Sequence, residues 1–215
     1  MAAQLATGDT SLLAETHAVS SGLKSYVSAH VVEGCEIVRR AMGGHGFMDS
    51  AGIGKIFAKE LPSTTYEGDN YILNLQVARA ALKTLKAIRS DPSTPLAPSS
   101  AYLASLSAPF TPLVSAPQSW LSHQFLLHII SLRAALQVQR LERLVGAGKQ
   151  FSELSWECVA VSKSIVEAFL VGRMLGAIDE PEGLLRAGIE GAERKTIVDL
   201  IHFVRLFLPH HCTRY

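Results

Sequence analysis

The sequence predicts an all-α fold: a helical bundle followed by a second helical domain. Three observations predict it. Apolar residues recur every three or four positions through several long windows, glycine clusters close those windows, and no run alternates with a period of two for long enough to argue a sheet.

The first window runs from Leu23 to Met42, where Leu23, Val27, Val31, Cys35, Val38 and Met42 share one helix face. Gly43, Gly44 and Gly46 stop this helix, because glycine reaches backbone conformations closed to other residues and lowers helix stability. A turn containing Gly52 and Gly54 follows. The next helix opens after Gly68 with Asp69 as its cap, carries a stripe of Leu75, Ala78, Leu82 and Leu85, and ends near Ser90. Between Asp91 and Trp120 stand six of the nine prolines among serines and threonines, a composition that breaks helices and favours exposed connecting chain. Phe125, Ile129, Leu132, Leu136 and Leu144 then outline a third long helix closed by Gly146 and Gly148. Another runs from about Leu154 through Ile165 to Leu175, and a last one, Leu184 to Leu208, is weakened by Gly188 and Gly191. The expected organisation is a helical unit over 1–90, a proline-rich linker over 91–120 and a further helical unit over 121–215.

Composition narrows the functional classes. Hydrophobic residues make up 48% of the chain, ample for a packed core. Twenty basic against nineteen acidic residues leave a net charge of +1, so no global field attracts nucleic acid or an anionic membrane. Cys35, Cys158 and Cys212 lie far apart and odd in number, which disfavours a disulfide framework or a zinc site and favours a reducing compartment. The sequence shows neither a secretory leader pattern nor a run of the roughly 18 apolar residues that a membrane-spanning helix needs, so a soluble, non-secreted protein is expected.

Two polar clusters could carry chemistry. Thr64-Thr65-Tyr66-Glu67-Gly68-Asp69-Asn70 lies between an apolar turn and an amphipathic helix, the kind of loop that commonly bears function. Read locally, it is also a helix cap, with Asp69 or Asn70 accepting from free N–H groups and Glu67 solvated nearby. Gly43-Gly44-His45-Gly46 permits close approach of backbone N–H groups to a phosphate, and it equally ends a helix. It follows no strand, so the dinucleotide fingerprint of a parallel sheet does not apply. His210-His211-Cys212 lacks a fourth ligand at suitable spacing, and no metal is expected. His45 has no assigned catalytic role, His123 and His128 are expected to be partly buried or surface groups, and Trp120, Trp156 and the phenylalanines to be core.

The two clusters in this order, with Arg39 preceding Gly43-Gly44-His45-Gly46-Phe47 and Thr65-Tyr66-Glu67-Gly68-Asp69-Asn70 opening the next helix, resemble the C-terminal helical part of the acyl-CoA oxidases of peroxisomal type. The resemblance is specific from roughly Gly22 to Lys86; beyond Asp91 it consists of the additional helical domain that oxidases carry. In the related acyl-CoA dehydrogenases the segment reads Tyr-Glu-Gly followed by Thr or Ser, whereas Asp69, Asn70 and Tyr71 stand here, which favours oxidase over dehydrogenase.

The resemblance implies a homodimeric FAD enzyme of peroxisomal fatty acid β-oxidation that converts fatty acyl-CoA to trans-2-enoyl-CoA and reduces molecular oxygen to hydrogen peroxide. It makes Glu67 the catalytic base, with Tyr66, Glu67 and Gly68 at the substrate thioester. A positioned carboxylate suits that chemistry, because an α-proton beside a thioester is weakly acidic. Gly43 and Gly44 match positions that approach the flavin nucleotide of a neighbouring subunit. Arg40 falls where dehydrogenases have a flavin-contacting glutamine, or is a solvated arginine at a helix end. Asp69 and Asn70 either contact the adenosine side of the cofactor or cap the helix. The family's N-terminal helical and middle β domains are not in this sequence, so the chain looks like a fragment that is inactive without them; the alternatives are a non-catalytic helical module that binds intact oxidase subunits and a dehydrogenase-like fragment. Peroxisomal location is implied by the family, while Thr213-Arg214-Tyr215 does not match the small-basic-Leu address.

Overall fold

The computed structural model describes residues 13–107 and 123–179, and among these every regular element is helical. The chain divides into two compact units, Met1–Ala168 and Phe169–Tyr215.

Helix α1 spans Leu13–Ala41. A 3-10 turn at Gly43–Phe47, a second at Asp49–Ala51 and the short helix α2, Ile53–Glu60, lead into a third 3-10 turn at Leu61–Thr64. Helix α3 is Asn70–Ser90, helix α4 is His123–Gly146, and helix α5 is Ser155–Asp179. The proposed Leu184–Leu208 helix, Trp120, the His210-His211-Cys212 run and Thr213–Tyr215 lie outside the described residues, as does the side chain of His123. His128 on α4 is partly buried.

The apolar core of the first unit is built by α3, α4 and the start of α5. Ala78, Ala81 and Leu85 of α3 meet Ala134, Ala135, Val138 and Leu141 of α4, together with Leu154, Cys158 and Val161. On α4 the buried face is Ala134, Ala135, Val138 and Leu141, whereas Ile129 and Leu136 of the apolar stripe remain exposed. Alanines at the crossing let the α3 and α4 backbones approach closely, and this shifts the buried face away from the larger residues. The described part of the proline-rich stretch does not run free of the fold. Its 3-10 segment Pro98–Leu106 packs on α4, and Tyr102 and Leu103 enter the core. Burial pushes the Tyr102 phenol well above its ordinary pKa.

Two aromatic expectations fail. Trp156 is 78% exposed and Phe47 81% exposed, so neither is core. Trp156 stands two residues from both Leu154 and Cys158, which turn inward, and two residues carry it about 200° round the helix to the outer side.

Helix α1 packs on α3 with an unexpected face. Ser21, Gly22, Ser25 and Ser28 are its buried residues, while Val27, Val31, Val38 and Met42 of the apolar stripe stay 40–49% exposed. Gly22 lets both α5 and α3 come close, since a Cβ there would stand 2.8 Å from the side chain of Val166 on α5 and 3.5 Å from that of Val77 on α3.

Candidate active site

The loop Thr65–Asp69 leaves a tightly wound turn. Pro62 at the start of the Leu61–Thr64 turn supplies one carbonyl to three donors: the backbone N–H groups of Thr65 (2.9 Å) and Tyr66 (3.1 Å) and the Thr65 hydroxyl (2.9 Å). The next residue, Glu67, adopts a left-handed backbone with φ 56°, the only non-glycine residue among those described to do so. Such a conformation costs free energy and persists where surrounding contacts hold it. Gly68 follows at φ 104°, and a Cβ there would stand 3.0 Å from the Leu73 side chain, so both backbone and space require glycine. Asp69 then caps α3: its Oδ1 accepts from the Tyr71 N–H at 2.8 Å. Tyr66, Glu67 and Asp69 are exposed, and the Glu67 carboxylate has no hydrogen-bond or ion-pair partner among the described residues.

The serine face of α1 holds this loop from beneath. Lys24 Nζ donates to the Gly68 carbonyl at 2.5 Å and to Asn70 Oδ1 at 2.9 Å. Asn70 Nδ2 donates in turn to Ser28 Oγ (2.8 Å) and the Ser25 carbonyl (3.2 Å), and Ser25 Oγ donates to Asn74 Oδ1 (2.9 Å). The Asn70 amide is thus engaged with α1 at both ends. The Tyr71 hydroxyl donates to Ser155 Oγ, tying the start of α3 to the start of α5.

Sequence reasoning missed Lys24, Ser25, Ser28 and Asn74. The signal was present, since Ser21, Ser25 and Ser28 with Gly22 form a small, polar stripe at helical spacing on the side of α1 away from its apolar stripe.

The glycine cluster sits at the other end of α1. Gly46 is buried because the turn folds back on the helix: a Cβ there would stand 2.2 Å from the Arg39 carbonyl oxygen. Gly43, at φ 58°, and Gly44 have nothing within 4 Å of a Cβ position, so their outer faces are open. Glu36 accepts from Arg39 through both carboxylate oxygens (2.6 and 2.7 Å) and from Arg40 Nε (2.7 Å). Hydrogen bonds from Arg39 and then Arg40 hold its carboxyl down at about 2, and the same pairing raises Arg39. The Arg39 guanidinium also lies 4.8 Å over the Phe47 ring. Arg40 is otherwise largely exposed, with 74% of its side-chain surface open.

The structure brings Tyr66, Glu67, Gly68, Asp69 and Asn70 together over Lys24–Ser28, but Arg40, Gly43 and Gly44 form a separate group. Lys24 and Arg40 are sixteen residues apart on one helix, roughly 24 Å along its axis at 1.5 Å per residue. Among the described residues no cluster of three His, Cys, Asp or Glu side chains could hold a metal, and no helix is long and apolar enough to cross a membrane.

The helical fold is shared with known proteins. Residues 1–82 match the family described as acyl-CoA oxidase, C-alpha1 domain. Arabidopsis thaliana acyl-CoA oxidase 1 superposes with a TM-score of 0.86 at 27% identity, covering 98% of this chain and 32% of that one. The chain is homologous to the C-terminal helical portion of acyl-CoA oxidases. The Arabidopsis thaliana peroxisomal acyl-coenzyme A oxidase 1 sequence is 28% identical over 213 residues, 96% of this chain and 31% of the relative. A structure of Caenorhabditis elegans acyl-CoA oxidase-2, bound with FAD, ascaroside-CoA and ATP, shares the fold at a TM-score of 0.72 and 23% identity, covering 97% of this chain and 31% of that one. The chain therefore spans about 30% of the length of the relatives it matches.

Proposed function

We propose that this chain carries the catalytic-base portion of a flavin-dependent acyl-CoA oxidase, acting on fatty acyl-CoA in peroxisomal β-oxidation once joined to the domains that its relatives possess. The observation that carries the reading is Glu67: a left-handed, non-glycine residue on an exposed loop, clamped on both sides, with its own carboxylate unengaged among the described residues. Backbone strain retained at an exposed carboxylate is what a reacting group needs and what a mere capping loop does not.

In this reading the Glu67 carboxylate removes the α-proton of the acyl thioester, and the N–H of the same residue donates to the thioester carbonyl, stabilising charge as the proton leaves. Tyr66 and Gly68 flank the thioester and fix the loop around it. FAD, when bound, supplies the hydride acceptor and the route by which molecular oxygen becomes hydrogen peroxide. The residues at the glycine turn fit an edge of that group. Gly43 and Gly44 expose bare backbone, and the Arg39, Arg40 and Glu36 trio keeps a net positive charge suited to an anionic nucleotide. Asp69, exposed beyond its capping bond, is the further contact on the adenosine side, with Asn70 beside it anchored to α1.

The separation of roughly 24 Å along α1 between the base loop and the glycine turn supports a homodimer with shared sites, because two groups so far apart serve different cofactor molecules more readily than one. The exposed apolar residues Val27, Val31, Val38, Phe47 and Met48 support a covered surface of the same kind. That surface also favours a second reading, a non-catalytic module that docks on intact oxidase subunits.

The deciding experiment places this segment in a full-length oxidase and compares Glu67→Gln with the parent. Gln keeps size and hydrogen-bonding reach but removes the basic oxygen. Anaerobic mixing with acyl-CoA isolates flavin reduction, which should slow by at least about 100-fold, or roughly 2.7 kcal/mol of barrier. Bleaching within a few-fold of the parent rate removes Glu67 from the role of base and leaves the docking module as the better reading.

A further inference from the structure

We propose that Lys24 is a positioning residue for the catalytic loop: its ammonium, reaching across from α1, pins the backbone next to Glu67 and so sets where the Glu67 carboxylate stands. The proposal rests on the reading of Glu67 as the base, and it is argued from three features of the loop.

The first is the distribution of anchors. On the N-terminal side the Tyr66 N–H is fixed on the Pro62 carbonyl at 3.1 Å. On the C-terminal side the Gly68 carbonyl is held by Lys24 Nζ at 2.5 Å. Glu67 stands between the two anchors, and among the described residues its carboxylate has no partner, so the backbone anchors are the contacts that fix where its side chain leaves the loop. The second is the left-handed pair itself. Glu67 at φ 56° and Gly68 at φ 104° are held in conformations that a free loop would leave, and a charged donor on the following carbonyl opposes that relaxation. The third is the choice of lysine. An ammonium has three donors and no acceptor, and here it serves two acceptors on successive parts of the loop and helix, the Gly68 carbonyl and Asn70 Oδ1. Asn70 is itself fixed by the Ser25 carbonyl and Ser28 Oγ, so the pin is braced against α1. Lys24 stands one turn before Ser28, at the border of the serine face, from which its long stem reaches the loop.

Two measurements test the proposal and separate its failure from that of the underlying reading. The first uses the 215-residue chain and a glutamate-specific protease, following the Glu67–Gly68 bond against the Glu60–Leu61 bond by mass spectrometry. Lys24→Met keeps the aliphatic stem and removes the donor. Loss of a hydrogen bond from a charged donor should raise cutting at Glu67 about tenfold, equivalent to ~1.4 kcal/mol, with cutting at Glu60 unchanged. Unchanged cutting at Glu67, or equal acceleration at both bonds, overturns the positioning role, since Lys24 would then hold nothing or merely support the bundle.

The second measurement uses the full-length oxidase carrying this segment. Lys24→Met should slow anaerobic flavin bleaching by about ten- to a hundredfold, the range expected when a catalytic group is misplaced, while acyl-CoA binding is unchanged. In the Glu67→Gln background it should have little further effect, because the group it positions is gone. If Glu67→Gln abolishes bleaching while Lys24→Met leaves it at the parent rate, the positioning role is wrong and the base assignment stands. If Glu67→Gln itself bleaches normally, the base assignment falls, and with it any catalytic meaning of the pin, even where the protease result is as expected.

Discussion

The two faces of α3 are held by different physics. Toward α4 and α5 it buries Ala78, Ala81 and Leu85 in an apolar contact, edged by the Arg89–Glu142 ion pair and the Tyr71–Ser155 hydrogen bond. Toward α1 it meets serines and Gly22, and beside the packing of Val77 at Gly22 the contact carries hydrogen bonds among Asn70, Asn74, Lys24, Ser25 and Ser28. Burial of apolar surface is strong but has no direction, so it suits a core. Hydrogen bonds contribute less each, about 1 kcal/mol net, but fix angles and distances, which suits a loop that must present one carboxylate. The molecule places the directional contact where Glu67 emerges and the non-directional one away from it.

The largest effect that tests this contrast belongs to the core. Leu141 is fully buried among alanines and valines, so Leu141→Ala should lower unfolding free energy by about 3 kcal/mol, read from the denaturant midpoint of the 215-residue chain. A loss as small as that of a surface substitution would mean that the α3–α4 contact is not the principal core.

Ser25→Ala should cost about 1 kcal/mol, because it leaves Asn74 Oδ1 without its donor in a partly buried seam. The same denaturation measurement checks it. A cost equal to that of Leu141→Ala would erase the distinction between the two faces.

The smallest effect is a pH dependence. Cys158 is buried in the core, where desolvation first, and the nearby Glu157 charge second, push its thiol up to about 11 from 9.0. A thiol raised in the folded state keeps its proton longer there than in the unfolded chain, so its contribution is fully present below pH 9. It is lost as pH rises from about 9 toward about 11. At pH 8 a thiol reagent should therefore label Cys35, which is only partly buried on α1, well before Cys158. Equal labelling rates would show that the core opens as readily as the α1 surface.

The Tyr66–Asn70 motif was legible as a unit because its residue types are unusual together: Gly68 needs its left-handed turn, and Asp69 caps a helix whose periodicity is plain. The α4 stripe was legible less well. Periodicity pointed to Ile129 and Leu136, yet close crossing at Ala134 and Ala135 buries a neighbouring face, and no one-dimensional pattern ranks a small residue above a large one. Trp156 was read as core from its size alone, which says nothing about the side of the helix it occupies.

By itself the sequence determined the helical class, the closing of α1 at its glycines and the capped start of α3, since each depends on local spacing and residue chemistry, while Glu67 as candidate base came from the family resemblance. Tertiary structure alone decided which face of α1 is buried. Both a valine stripe and a serine stripe run along that helix at the same period, and the serine stripe is the one that meets Asn70 and Asn74 of α3 and, at Gly22, Val77 and Val166. Lys24 and Gly68 are brought together across forty-four positions of chain. A contact of that span follows from how two helices cross, which no local property of either helix contains.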